Sequence, residues 1–275
     1  MVIEVPLACT VRDCGLLLQR SSETLACARG HRYDLARSGY FNLLQPQDRR
    51  SATPGDSPES VAARARLLEA GIGLTLFRSV VDRSAGELTA SSVVADLGCG
   101  SGEALDLLTQ LVSLSAVGID LSVPATEHAS RRFPQVTWVV ANADRRLPLL
   151  DGTVDLIWSL HGRRQPVECA RVLRRDGQLL IAVPGAEDLA ELRDAVQGRV
   201  VHRDRLAQVR VEHGPHFREV DHWQVCERHA LSLLQLRDLL ATTYRGARRS
   251  LAPRIETLDS LEVTFASEVV LFQRR

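Results

Sequence analysis

From Ser92 onward, short apolar runs alternate with amphipathic stretches. Runs at 93–97, 115–120, 136–141, 153–160 and 177–183 are bounded by turn residues and predict buried strands. Between them, stretches near 102–112, 123–132, 165–174 and 186–196 carry apolar residues at helical spacing. Strand–helix alternation of this kind predicts an α/β fold with a largely parallel, Rossmann-like sheet. Upstream, Ser57-Pro58-Glu59 opens a helix, with Ser as N-cap and Pro in the first turn. It carries Val61, Ala65, Leu67 and Leu68 and stops at Ala70-Gly71; a second helix covers 74–85. The end, Leu261 to Phe272, alternates enough for one or two strands, the last antiparallel. Residues 1–50 are loop-rich, and Arg49 to Asp56 reads as a polar, Pro/Gly-containing linker. The expected organisation is a small module over 1–50, a helical linker over 51–90, and an α/β domain over 91–275. That domain includes an inserted or appended substrate region at about 199–254.

The first strand empties into Asp96-Leu97-Gly98-Cys99-Gly100-Ser101-Gly102. Glycines there let the backbone approach a ligand at the carboxyl end of the strand. The next strand ends Gly118-Ile119-Asp120, placing an acid where a ribose diol would sit. A dinucleotide fingerprint would need Gly or Ala where Glu103 stands. The motif D-x-G-x-G-x-G is instead similar to the first motif of S-adenosylmethionine-dependent methyltransferases. Their cofactor is cationic and carries no phosphate, so acids beside the turn help. The candidate cofactor residues are Asp96, Gly98, Cys99, Gly100, Gly102, Asp120 and Leu121, with Ala143 and Asp144 near the adenine edge.

Residues 1–50 hold three of the six cysteines. Cys9-x4-Cys14 and Cys27-x3-His31 offer two ligand pairs that can close a tetrahedral Cys3His zinc site. A fifty-residue segment has too little core to fold alone, which gives a metal staple its purpose. Gly15 and Gly30 supply the knuckle turns. Cys99, Cys169 and Cys226 fall inside predicted elements and are expected to be buried. His213, His216, His222 and Cys226 match no common metal spacing.

Basic and acidic residues balance at 34 each, and every basic residue other than His is Arg. Zero net charge gives no support to a nucleic-acid partner. The charge is uneven, however: from Arg199 to Arg254 eleven Arg face six acids, with five of the eight His. That stretch reads either as a phosphate-binding wall or as a solvated face. No stretch is long and apolar enough to span a membrane, and MVIEVPLACT has neither a basic n-region nor an apolar h-region. Scattered cysteines without a secretory signal fit a reducing cytoplasm.

Taken together, these residues resemble the bacterial 23S ribosomal RNA (guanine-N1)-methyltransferase family, which includes macrolide-resistance members. The carrying segments are Cys9, Cys14, Cys27, Gly30-His31-x-Tyr33-Asp34-Leu35-Ala36-Arg37, Gly39-Tyr40-x-Asn42-Leu43-Leu44, Pro54-Gly55-Asp56-Ser57 and Ala63-Arg64-x-x-Leu67-Leu68. They continue through Asp96–Gly102, Gly118-Ile119-Asp120, Ala143-Asp144 and Ala170-Arg171-Val172-Leu173. The resemblance implies a class I methyltransferase sheet with a small N-terminal zinc-binding module. It also implies an RNA cleft shared by the two, a ribosomal RNA substrate and dimers. Four places depart from the family: Gly73 replaces a Tyr, Asp188 replaces a His, the first cysteine spacing is longer, and the fourth strand ends Ser159-Leu160-His161-Gly162-Arg163-Arg164.

His161 lies where the methyl acceptor enters this fold and is the expected group to accept the guanine N1 proton. Arg163 beside it is expected to hold a phosphate. Two other readings stay open: a small-molecule methyltransferase on the same frame, and a cofactor-binding protein without catalysis. A basic cleft joining the zinc module to the glycine turn would favour RNA. A closed apolar pocket would favour a small molecule, and a blocked glycine turn would favour the non-catalytic protein.

Overall fold

A computed structural model of the chain describes residues 4–48, 55–197, 204–243, 255 and 258–275. The linker residues 49–54 lie outside these, as do His202 and Arg199, Arg203, Arg245, Arg248, Arg249 and Arg254 of the basic stretch.

The N-terminal residues form a three-stranded antiparallel sheet of β1 (Gln19–Ser21), β2 (Thr24–Ala26) and β3 (Arg32–Asp34). The chain then contributes β4 (Tyr40–Asn42) to a second sheet. After α1 (Pro58–Glu69) and α2 (Leu74–Ala85) the alternation runs β5 (Val93–Leu97), α3 (Glu103–Leu111), β6 (Ser115–Asp120), α4 (Val123–Arg132) and β7 (Thr137–Val140). It continues with β8 (Val154–Leu160), α5 (Pro166–Val172), β9 (Leu173–Pro184), α6 (Ala190–Gln197), α7 (Arg205–His213), β10 (Phe217–Ser232), α8 (Leu233–Thr243) and β11 (Ser260–Arg274). The second sheet has the order β10-β11-β9-β8-β5-β6-β7-β4. Its strands from β4 to β9 pair in parallel, and β11 closes antiparallel to both β9 and β10.

The five expected strands correspond to β5 through β9. All five residues of β5 are buried, as a strand covered by helices on both faces requires. The anticipated Ser57 cap is made, accepting the Ser60 N–H, and Ser122 likewise accepts the Ala125 N–H, each with Pro in the first turn. Among the described residues after 199 is the 16-residue strand β10, paired along its length with β11 and exposed at alternate positions. Its inward positions mix Trp223, Val225 and Leu231 with Asp221, Glu227 and His229, so no apolar alternation marked it. Cys226 is exposed, not buried as expected, whereas Trp223 is half-buried against the core with its indole donating to Ser79.

The first fifty residues do not stand apart. Leu7, Cys9, Leu18, Leu25, Phe41 and Leu43 join Val93, Leu97, Ile119 and Val139 in one buried cluster. β4 runs parallel beside β7, and Leu7 bridges Leu149.

His213 ends α7 inside the core, stacked on Phe272 at 5.7 Å. Its Nδ1 donates to the Val209 carbonyl, and its Nε2 is buried without a partner. Burial lowers its pKa from 6.5 to about 4, so the native ring is neutral. The unfolded chain binds this proton first, so stability holds above pH 6.5 and falls as pH drops toward 4. His213→Phe is expected to shrink the stability difference between pH 7 and pH 5 by about 2 kcal/mol. Urea unfolding of both proteins at the two pH values measures this; an unchanged difference would contradict the buried neutral ring.

Candidate functional site

At the carboxyl ends of β5, β6 and β8 lies a cavity of about 600 Å³. The expected residues Asp96, Gly98, Cys99, Gly100, Asp120, Leu121, Ala143, Asp144, His161 and Arg163 all line it. Gly102 does not. It caps α3 at φ +92°, and a Cβ there would meet the Trp138 ring at 2.5 Å, so its role is packing beneath the turn.

The turn itself is built from left-handed backbone. Gly98 sits at φ +77° and Gly100 at φ +55°, conformations that cost side-chain-bearing residues energy. A Cβ on Gly98 would lie 3.0 Å from the Gly162 Cα, while one on Gly100 would meet open space. The turn therefore packs tightly on one side and is open on the other.

Two carboxylates flank it. Asp96 is 2% exposed and its Oδ1 has no hydrogen-bond partner. Burial, with Asp120 beside it, pushes its pKa up to about 8. Asp120 accepts the Gly100 N–H at 2.9 Å and the Ser122 N–H at 2.7 Å, one on each oxygen. Burial also raises Asp120, against the lowering by those two N–H groups and by the Arg64 charge. A buried carboxylate without a partner is costly, and a ligand that brings a cationic donor relieves it. Cys99 stays protonated, because burial and the two acids push its thiol well up.

At the rim, Asp144 pairs with the exposed Arg163 at 3.0 Å, and its N–H is held by Asn142 at 2.9 Å. His161 takes φ +57°, and its Nε2 lies 3.0 Å from the Ser267 Oγ. His161 is exposed at the cavity mouth, with one edge of its ring against Ser267. The protein packed on that side, with the charges of Arg64 and Arg205, lowers its pKa to about 4. His161 is thus neutral at pH 7 and a weaker base than expected for the N1 proton.

Among the further cavity residues that local sequence patterns do not mark are Gly55, Asp56, Arg64 and Asp188. Gly55 presses on Ser122 so closely that a Cβ would fall 2.4 Å from its Cα, and the Ser122 hydroxyl donates to the Asp56 carbonyl. Pro-Gly before a helix N-cap was the available signal, but it reads only as a turn. Arg64 is half-buried on α1 and carries its charge into the cavity.

The four expected metal ligands come together. Cys9, Cys14, Cys27 and His31 place their ligating atoms within 4.8 Å of one another. Cys14 and Cys27 sulfurs are 3.8 Å apart, and His31 Nδ1 is 3.4 Å from both Cys9 and Cys27 sulfurs. A zinc tetrahedron with bonds of about 2.3 Å to sulfur and 2.0–2.1 Å to nitrogen has edges of about 3.8 and 3.5 Å. The Tyr33 hydroxyl, 3.3 Å from the Cys9 sulfur, supports the ligand from outside the tetrahedron. Among the described residues no other Cys, His, Asp and Glu group is placed to hold a metal, so His213, His216, His222 and Cys226 form no second site.

Comparison with known proteins agrees with both halves. A zinc-ribbon family described as "RlmA, N-terminal" matches residues 8–52, and a methyltransferase-domain family matches 94–177. A 23S rRNA (guanine(748)-N(1))-methyltransferase of Streptomyces fradiae is 35% identical over 210 residues, covering 75% of this chain and 74% of that protein. A Micromonospora griseorubida protein provisionally named for 23S rRNA guanine-N1 methylation is also 35% identical, over 80% of this chain and 79% of its own length. This chain belongs to the 23S rRNA (guanine-N1)-methyltransferase family. It is an S-adenosylmethionine-dependent methyltransferase with an N-terminal zinc ribbon. The fold is shared more widely: the YcgJ protein of Bacillus subtilis superposes with a TM-score of 0.50 at 17% identity, over 72% of this chain and 96% of that one. No helix among the described residues is long and apolar enough to cross a membrane.

Asp96→Asn is expected to weaken S-adenosylhomocysteine binding by roughly ten- to a hundred-fold, the loss of about 1.5–3 kcal/mol typical of a hydrogen bond to a charged group. It should also stabilise the ligand-free protein above pH 8. The raised Asp96 pKa means that folded stability is lost as pH climbs from 3.8 to about 8, and the full penalty stands above that. Calorimetric binding and thermal unfolding at pH 9 test the two halves; unchanged affinity would remove Asp96 from the cofactor site. Chelating the zinc should lower a single unfolding midpoint of the whole chain, because the ribbon's apolar residues share the main core. Scanning calorimetry with and without chelator would refute this if the midpoint did not move.

Proposed function

We propose that this chain methylates N1 of a guanine in large-subunit ribosomal RNA. The carrying observation is the ribbon and where it sits. Arg12 of the ribbon lines a depression together with Arg145 and Arg146, and these two follow Asp144 of the cavity directly in the chain. This run of cations between the metal module and the cofactor cavity suits a phosphate backbone, and it supplies what the zero net charge lacked. Arg163, exposed at the rim, extends it. The function named for the Streptomyces fradiae relative supports the same substrate.

In this reading S-adenosylmethionine supplies a methyl group made electrophilic by a cationic sulfur. Asp96 receives its ammonium, Arg64 faces its carboxylate, Asp120 takes the ribose hydroxyls, and Asn142 to Asp144 border the adenine. The target base leaves its stack to reach this depth. Its way in is bordered by His161 and Arg163.

One observation favours a small acceptor. The wall formed by Leu67, Leu76, Phe77, Leu239 and Phe265 is apolar. An extruded base also packs against apolar surface, so this wall suits both. The open side of Gly100 counts against a cofactor site blocked by the chain itself.

The deciding experiment transfers labelled methyl to ribosomal RNA from a strain lacking this methylation and maps the product. A single N1-methylguanine in the large-subunit RNA is expected; label on another base, or only on small molecules, would overturn the reading. Arg12→Ala and Arg163→Ala should each weaken RNA binding and reduce its salt slope by about one, and Arg12→Ala should leave cofactor affinity unchanged. Filter binding across a salt series checks this. An unaltered slope in both variants would move the RNA path elsewhere.

A further inference from the structure

Two carboxylates in the cavity lie away from the acids that suit the methyl donor, and one of them, Glu227, is taken up by Thr75 and His229. Asp188 follows β9, lines the cavity, and accepts the Ala266 N–H on its Oδ1 at 3.2 Å. The next residue, Ser267, is the one that holds His161. In the sheet, Asp120 ends β6, Asp96 lies on β5 beside it, His161 follows β8, and Asp188 follows β9 one strand further on. A donor seated over β6 and β5 is met by an acceptor arriving from the β8–β9 side. His161 and Asp188 are the polar groups carried there by the ends of those two strands.

We infer that Asp188 recognises the acceptor base and takes its proton: its carboxylate receives the N1–H and the neighbouring exocyclic N–H of guanine. The inference rests on the guanine reading above. Guanine alone among the four bases offers two adjacent donors on its pairing edge, and a carboxylate is the acceptor whose two oxygens match them. In the transfer, the sulfur–methyl bond breaks with its electrons left on sulfur. The N1 electron pair forms the new N–C bond, and the N1 proton passes to an Asp188 oxygen and then to water.

The surroundings of Asp188 suit this role. Burial raises its pKa to about 6, offset by the Ala266 N–H and by Arg193 and Arg205, with Glu191 acting the other way. His161, held by Ser267 next to the residue that Asp188 contacts, is lowered to about 4. At pH 7 Asp188 is ionised, and it is the better proton acceptor of the two.

Asp188→Asn tests the inference, since an amide oxygen can still accept the Ala266 N–H and hold the turn. Three readouts are compared with wild type. They are S-adenosylhomocysteine affinity, single-turnover methylation of the mapped ribosomal RNA fragment, and cofactor-free binding of that fragment with guanine or hypoxanthine at the acceptor position. The expected result is cofactor affinity within twofold of wild type and methylation slowed about 100-fold or more. The wild-type preference for guanine over hypoxanthine should be lost, and Asp188→Glu should recover part of the rate. The wild-type rate should fall as pH drops through about 6. A retained rate, a retained guanine preference, or a matching loss of cofactor affinity would each overturn the assignment of Asp188 alone. Failure of the wild-type chain to methylate guanine N1 would overturn the guanine reading and this inference with it.

Discussion

Two carboxylates stand on neighbouring strands at the cavity, Asp96 buried and Asp120 half-buried, and much of the site follows from that. Asp96 and Asp120 sit on neighbouring parallel strands, where burial raises both. Like charges out of water cannot rest there without compensation. Asp120 finds it in two backbone N–H groups, which the glycine turn and the start of α4 deliver. Asp96 finds no partner for Oδ1 within the chain. The unsatisfied acceptor is a demand for a cationic ligand, and it accounts for an acid at a place where a phosphate-bearing cofactor would be repelled.

The geometry that keeps the acids together is set by what lies beneath them. Trp138 is fully buried and donates its indole N–H to the Phe133 carbonyl. Its ring fills the space left by the missing side chains of Gly102 and Gly118, where a Cβ would clash at 2.5 and 2.2 Å. On the other side Gly98 meets Gly162, and Gly162 meets the Leu97 carbonyl. The turn is held between these contacts, so a cofactor meets backbone already in position. The same logic joins the ribbon to the enzyme. Its metal fixes a loop-rich segment whose apolar residues complete the main core, so the cations it carries are held in fixed relation to the cavity.

The acceptor end is built from contacts of a different kind. His161 and Asp188 stand where the fourth and fifth strands of the alternation end, and both are fastened to β11. Enclosure moves the two in opposite chemical directions, the imidazole toward a weaker base and the carboxylate toward a stronger one. Residue type alone favours the imidazole as proton acceptor at neutral pH; the surroundings of the two groups shift their basicities the other way.

The sequence by itself determined the strands β5 to β9, the helices between them, the glycine turn with its two acids, and the Cys3His set. Each of these is a local pattern: an apolar run bounded by turn residues, a cap followed by Pro, or ligands spaced across a knuckle. Gly102 belongs to the motif without lining the cavity, because a motif shows that a side chain must be absent without showing what fills the space. β10 escaped notice because its inward face carries Asp221, Glu227 and His229 among its apolar residues. Only the tertiary structure placed β4 in the main sheet and brought Asp56 to Ser122, Asp188 to Ala266 and Ser267 to His161. The last two contacts join residues 78 and 106 apart in the chain. Such pairings, and the burial that sets each pKa, exist only once the sheet has closed. A carboxylate or imidazole carries its ordinary basicity in the sequence and acquires its working one from the protein packed around it.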